Sequence, residues 1–183
     1  NYADDPEAVK ISFEQTVQRA VALDREDAES HTVLGMAIFR MGNADEALSV
    51  LRTAIDLNPS YAFAHSTLGL VLGTSSRPEE AMVYHETAIR LSPRDPQLAI
   101  FLSRYANSCI NAEKYEQAVE LSKRAMHLAG GGLWLTFVEA ATALAHLGRI
   151  GEAREMIARM KAIRPNASIA AVRRAFPFAD PAA

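Results

Sequence analysis

Thiol chemistry is nearly absent from this chain, which has one cysteine, Cys109, in 183 residues. A single thiol excludes an internal disulfide framework and fits a reducing compartment, so a cytoplasmic location is expected. Charge of one sign is scarce too, with a net of -3. That excludes the broad cationic surface suited to nucleic acid or an anionic membrane, and neither is expected as a partner. No apolar run approaches the roughly 18–20 residues of a membrane span, and no basic-then-apolar leader opens the chain. The first residue is Asn1 rather than Met, so a piece of a longer protein is expected. Hydrophobic residues nonetheless make up 49%, enough for a sizeable core.

What the chain does have is internal repetition, and a fixed period decides architecture. "LGMAIFRMGNADEALSVLRTAIDLNP" (34–59) returns as "LGLVLGTSSRPEEAMVYHETAIRLSP" (68–93), 34 residues later. Ala20, Ala54 and Ala88 keep that spacing, followed by Ala125 and Met160. A second register holds Ala47, Ala81, Ala118 and Ala153, and a third holds Gly35, Gly69, Ala106 and Ala141. Glycine inside a helix costs about 1 kcal/mol against alanine, a cost that close helix approach offsets. Pro59, Pro93 and Pro165 follow apolar helix ends, where proline stops a helix. Gly42 and Gly148 fall between helices and suit a positive-φ turn.

These slots predict helices over roughly 6–23, 28–41, 44–57, 62–74, 78–91, 95–111, 114–128, 132–147, 150–163 and 167–176. Asp95 is expected as the N-cap of the sixth, with Pro96 in its first turn. "GGG" at 130–132 reads as a flexible joint.

The pattern of Leu34, Gly35, Ile38, Ala47, Leu51, Ala54 and Pro59 resembles the tetratricopeptide repeat, a helix-turn-helix of 34 residues. Leu68, Gly69, Leu72, Ala81, Ala88 and Pro93 repeat it. Tyr105, Ala106, Cys109, Ala118 and Ala125 carry it more weakly, as do Ala140, Ala141, Leu144, Ala153, Ile157 and Pro165. His31 and His65 stand where the family has an aromatic residue. The resemblance implies an all-α fold, a right-handed solenoid of antiparallel helix pairs. Its units would be a half repeat (6–25), repeats over 28–61, 62–95, 99–132 and 134–166, and a capping helix (167–176). The stretches "NYADDPEAVKISFEQTVQRAVALDREDAESH", "RLSPRDPQLAIFLSRYANSCINAEKYEQAVELSKRAM" and "SIAAVRRAFPFADPAA" further resemble the C-terminal repeat region of bacterial class III adenylate/guanylate cyclases. Similar tails follow winged helix-turn-helix regulators. There the catalytic or DNA-binding domain lies upstream, and the repeats form the regulatory or partner-binding end.

No residue constellation points to catalysis, so the fragment is not expected to be an enzyme or to hold a cofactor. His31 and His65 share a slot and could stack around a metal, but no third ligand falls at a metal-site spacing, and packing is the simpler reading. Cys109 occupies the apolar slot of Ile38 and Leu72 and reads as a buried hydrophobe. The "GGG" run lacks the lysine and preceding strand of a phosphate loop.

By the resemblance, first helices line a concave face that takes a protein or peptide. The slots carry over to Thr32, Met36, Phe39 and Arg40; to Phe63, Ser66, Leu70 and Thr74; to Ile100, Ser103, Asn107 and Asn111; and to Leu135, Val138, Thr142 and His146. Asn107 alone matches the residue types with which some members grip a C-terminal carboxylate. The groove otherwise reads apolar, with Phe39 and Phe63 as anchors. An alternative is a scaffold that drives dimerisation. Residues 1–30 hold eight acids against three bases, and residues 149–174 seven bases against two acids. Such ends could meet head to tail.

Overall fold

The computed structural model describes residues 26–168. The half repeat expected over 6–25 lies outside them, as does all but the first two residues of the expected capping helix. The described residues form α1 (Ala28–Arg40), α2 (Ala44–Leu57), α3 (Ala62–Thr74), α4 (Pro78–Leu91), α5 (Leu98–Asn111), α6 (Tyr115–Leu128), α7 (Leu135–His146) and α8 (Ile150–Ile163), with no strand among them.

Local chemistry sets several of these boundaries. The Asp27 carboxylate accepts the backbone N–H groups of Glu29 (3.1 Å) and Ser30 (3.0 Å), satisfying two donors at the start of α1. Pro78 opens α4 in the first turn, where its missing N–H costs nothing. One boundary differs from expectation. Asp95 Oδ1 accepts the N–H of Gln97 at 2.8 Å, so it forms a turn of its own, and Pro96 precedes α5 instead of opening it.

The turn inside each pair is the same structure four times. Gly42 (φ 94°), Ser76 (φ 58°), Glu113 (φ 58°) and Gly148 (φ 73°) are all left-handed. Each following N–H reaches back five residues: Asn43 to Ile38, Arg77 to Leu72, Lys114 to Cys109 and Arg149 to Leu144. This is the Schellman closure, which satisfies carbonyls orphaned at a helix end. The glycine run ends α6 in the same way, through Gly131 N–H to Met126 C=O at 3.0 Å. It is a hydrogen-bonded cap, not the loose joint its composition suggested.

Close packing explains the small residues. Ala47, Ala54, Ala81, Ala88, Ala118 and Ala125 are fully buried. A Cβ on Gly35 would stand 2.6 Å from Leu51 Cγ, and one on Gly69 2.7 Å from the His85 ring. The α1–α2 and α3–α4 pairs therefore approach too closely for any side chain at those positions.

Successive pairs stack unevenly. First helices touch first helices, α1 on α3, α3 on α5 and α5 on α7, while second helices make no comparable contact with one another. Elements in mutual contact lie on the inside of a curve, so the first helices form the concave side.

Candidate functional site

The concave side holds two kinds of residue. Met36, Phe63, Leu70 and Leu135 are partly exposed, and Arg40, Ile100 and Asn111 are exposed. These form the accessible face. Thr32, Phe39, Ser66, Ser103 and Asn107 are buried. Phe39 lies in the core cluster with Ile38, Leu48, Leu51 and Val71, so it serves the fold and not the surface. Thr32 donates to Ala28 C=O at 2.7 Å. Contact between adjacent first helices covers slots that helical periodicity alone would leave open.

Polar side chains cross these helix–helix seams. Arg104 Nη1 donates to Ser66 Oγ at 3.1 Å and to Thr67 Oγ1 at 3.2 Å, tying α5 to α3. Asn111 Nδ2 donates to Gly73 C=O at 2.9 Å across the same seam. Ser103 Oγ donates to Glu139 Oε1 at 2.7 Å, tying α5 to α7. Neither Arg104 nor Glu139 was among the expected site residues. Their only sequence signal is isolation: Arg104 interrupts "LAIFLSRYA", and Glu139 is the one acid between Leu133 and His146.

The charges of these two groups are unbalanced. Arg104 lies under the Phe63 ring, its Cζ 5.2 Å from the centroid. Burial, with a smaller repulsion from Arg40, pulls its guanidinium down to about 10. No carboxylate pairs with it among the described residues. A guanidinium has five N–H donors, and the two bonds above both use Nη1. The charge that acts on it among the described residues is a second cation, Arg40, which makes this part of the face electropositive. Glu139 is the reverse case. Burial pushes its carboxyl up to about 8, against a smaller lowering from Ser103. It is therefore neutral at pH 7. Its Oε2 and Asn107 Oδ1 have no hydrogen-bond partner among the described residues.

The remaining candidates are structural. His31 Nδ1 lies 3.0 Å from Asp27 O, and His65 Nε2 lies 2.9 Å from Pro59 O. Each ring is fixed to the turn before its own helix, and no cluster of metal-ligating residues forms among the described residues. His85 Nε2 and Ser108 Oγ share a 3.1 Å bond, which resembles a base–nucleophile pair. Both are buried, and burial pulls the imidazole down to about 3. Burial raises the Cys109 thiol to about 12, far from a reactive thiolate. No described helix is long and apolar enough to cross a membrane.

Stacked antiparallel pairs, a recurring glycine-alanine register and a concave row of first helices define a tetratricopeptide-repeat solenoid. The chain carries that repeat in sequence as well: models of the tetratricopeptide repeat match residues 28–61 and 135–159. The comparison with curated protein sequences yields no match. Solved structures share the fold at low identity. The type IV pilus biogenesis factor PilW is 19% identical, with 87% of this chain and 72% of that one covered at a TM-score of 0.78. MamA from Desulfovibrio magneticus RS-1 is 17% identical, with 85% and 86% covered at 0.68. YrrB, described as a TPR protein with an unusual peptide-binding site, is 20% identical, with 81% and 75% covered at 0.64.

Proposed function

We propose that this chain is a protein-interaction module whose concave face takes a peptide or partner segment bearing an acidic group beside apolar side chains. The observation that carries this reading is Arg104. A half-buried guanidinium with no counter-ion among the described residues is costly, and burial of a charge is normally offset by an opposite one. The described residues leave that place open beside Phe63, and Phe63, Leu70 and Met36 on the same side of the stack are partly exposed apolar side chains. Aromatic anchors beside an oriented cation favour a short acidic-apolar segment. Peptide binding by the similar protein YrrB supports the same use of the face.

The parent we infer is a bacterial adenylate/guanylate cyclase, cytoplasmic, with these repeats as its regulatory C-terminal part. That step rests on the sequence stretches 1–31, 90–126 and 168–183 alone. The fragment itself is read as non-catalytic, because its one cysteine and its serine–histidine pair are buried. A scaffold role in dimerisation is the second reading, favoured by Ile150 and Ile163, which remain 46% and 47% exposed on α8.

Selection from a random peptide library tests the first reading. Peptides retained by the wild-type chain should be rich in Asp, Glu or free C-terminal carboxylates, and Arg104→Gln should lose them. Retention of neutral or basic peptides, or unchanged retention by Arg104→Gln, would refute it.

A further inference from the structure

The concave face does not account for the glycine run or for the basic C-terminal half. These meet at a cavity of about 430 Å³ between α6 and α8, the second helices of the last two pairs. Lys123 and His127 reach it from α6, and Arg159 from α8. No acidic residue lines it among the described residues. Glu152, whose carboxyl feels Lys123, is already held by Arg149 through two bonds of 2.6 Å.

Two features make this more than a row of surface cations. Arg159 is exposed but stacked, its Cζ 5.2 Å from the centre of the buried Phe137 ring. Stacking occupies the flat face of a guanidinium and leaves its N–H edge able to donate. The rim is Gly130 and Gly131, both left-handed (φ 55° and 81°), and a Cβ on either would meet nothing within 4 Å. The glycines thus satisfy the turn and leave the mouth clear of side chains. The floor is Met126 and Met156, 7% and 8% exposed.

We propose that this cavity binds a small organic phosphate. The phosphate or diphosphate group lies among Lys123, His127 and Arg159, where three side chains and the charges of Lys123 and Arg159 match an oxyanion. The organic body rests on the thioether floor, which suits irregular apolar shapes. The site is separate from the concave face and does not depend on a peptide binding there.

Calorimetric titration of the chain at low ionic strength tests this, with inorganic pyrophosphate and ATP as probes and chloride matched for ionic strength as the control. Both probes should bind saturably, ATP more tightly. Lys123→Gln and Arg159→Gln should each weaken binding about tenfold, the loss of one charge-assisted contact. Lys123 is exposed, so that variant keeps the fold even if Arg159→Gln disturbs Phe137. Arg40→Gln, on the concave face, should leave binding unchanged. Pyrophosphate binding without tighter ATP binding would overturn the organic-phosphate assignment. Absence of saturable binding at millimolar pyrophosphate, or equal losses in Lys123→Gln and Arg40→Gln, would overturn the site itself.

Discussion

At Glu139, one proton decides the energetics. The folded chain keeps the carboxyl protonated up to about pH 8, whereas a glutamate carboxyl in water ordinarily releases its proton near 4.5. Between those values the folded state holds a proton that the unfolded state has released. Stability from this residue is therefore complete below pH 4.5, falls as pH rises, and is lost by about pH 8. Glu139→Gln keeps an acceptor for Ser103 and removes the titration. The variant should match wild type near pH 4 and exceed it by roughly 4 kcal/mol at pH 8, from the energy of each pKa unit. Thermal unfolding across that range checks it. A wild-type–variant difference that does not change with pH would mean the carboxyl is solvated. Arg104 and Glu139 were also the residues least legible in the sequence. A slot on a helix says which way a side chain points, but how closely the next helix approaches decides whether it is covered.

Helices and turns were far more legible. The alanine and glycine periods placed both helices of the first two pairs, because a side chain at Gly35 or Gly69 has nowhere to go. The turn inside each pair was only half visible. Gly42 and Gly148 announced it, but Ser76 and Glu113 adopt the same left-handed backbone without a glycine to mark it. That conformation costs an L-residue roughly 1–2 kcal/mol, and the Schellman bonds hold it in place. Two opposite outcomes follow from one geometry. Gly42→Ala and Gly148→Ala should each lower stability by about 1 kcal/mol. Glu113→Gly should raise it by up to about 0.5 kcal/mol, after glycine's added unfolded-state entropy is subtracted. Urea melts of the three variants measure both signs. Destabilisation by Glu113→Gly as large as that of Gly42→Ala would show that the four turns are not equivalent. The start of α5 was misread for a related reason: Asp95 can cap a helix or close a turn of its own, and local sequence does not choose between them.

Across the whole molecule, unequal stacking turns repetition into a binding surface. First helices touch and second helices splay, so one side curves inward and carries the partly or fully exposed Met36, Arg40, Phe63, Leu70 and Ile100. The sequence pointed to that side but named too many residues for it, since Thr32, Phe39, Ser66, Ser103 and Asn107 are covered by the stack itself. Arg104 links stacking to function. It pins α5 to α3 through two hydroxyls and carries a charge that the described residues do not balance. Stability and binding should therefore oppose each other at this position. The most direct measurement is a paired one on wild type and Arg104→Met: thermal unfolding without ligand, and titration with an acidic peptide selected on the wild-type chain. The account predicts an equal or higher melting temperature for Arg104→Met, because a half-buried charge with no counter-ion among the described residues is replaced by an uncharged, flexible apolar side chain. It also predicts at least a tenfold loss of peptide affinity, the value of about one charge-assisted contact. A variant that melts lower and binds the peptide as tightly as wild type would contradict it, showing Arg104 to be a strut of the stack and not the residue that reads the partner.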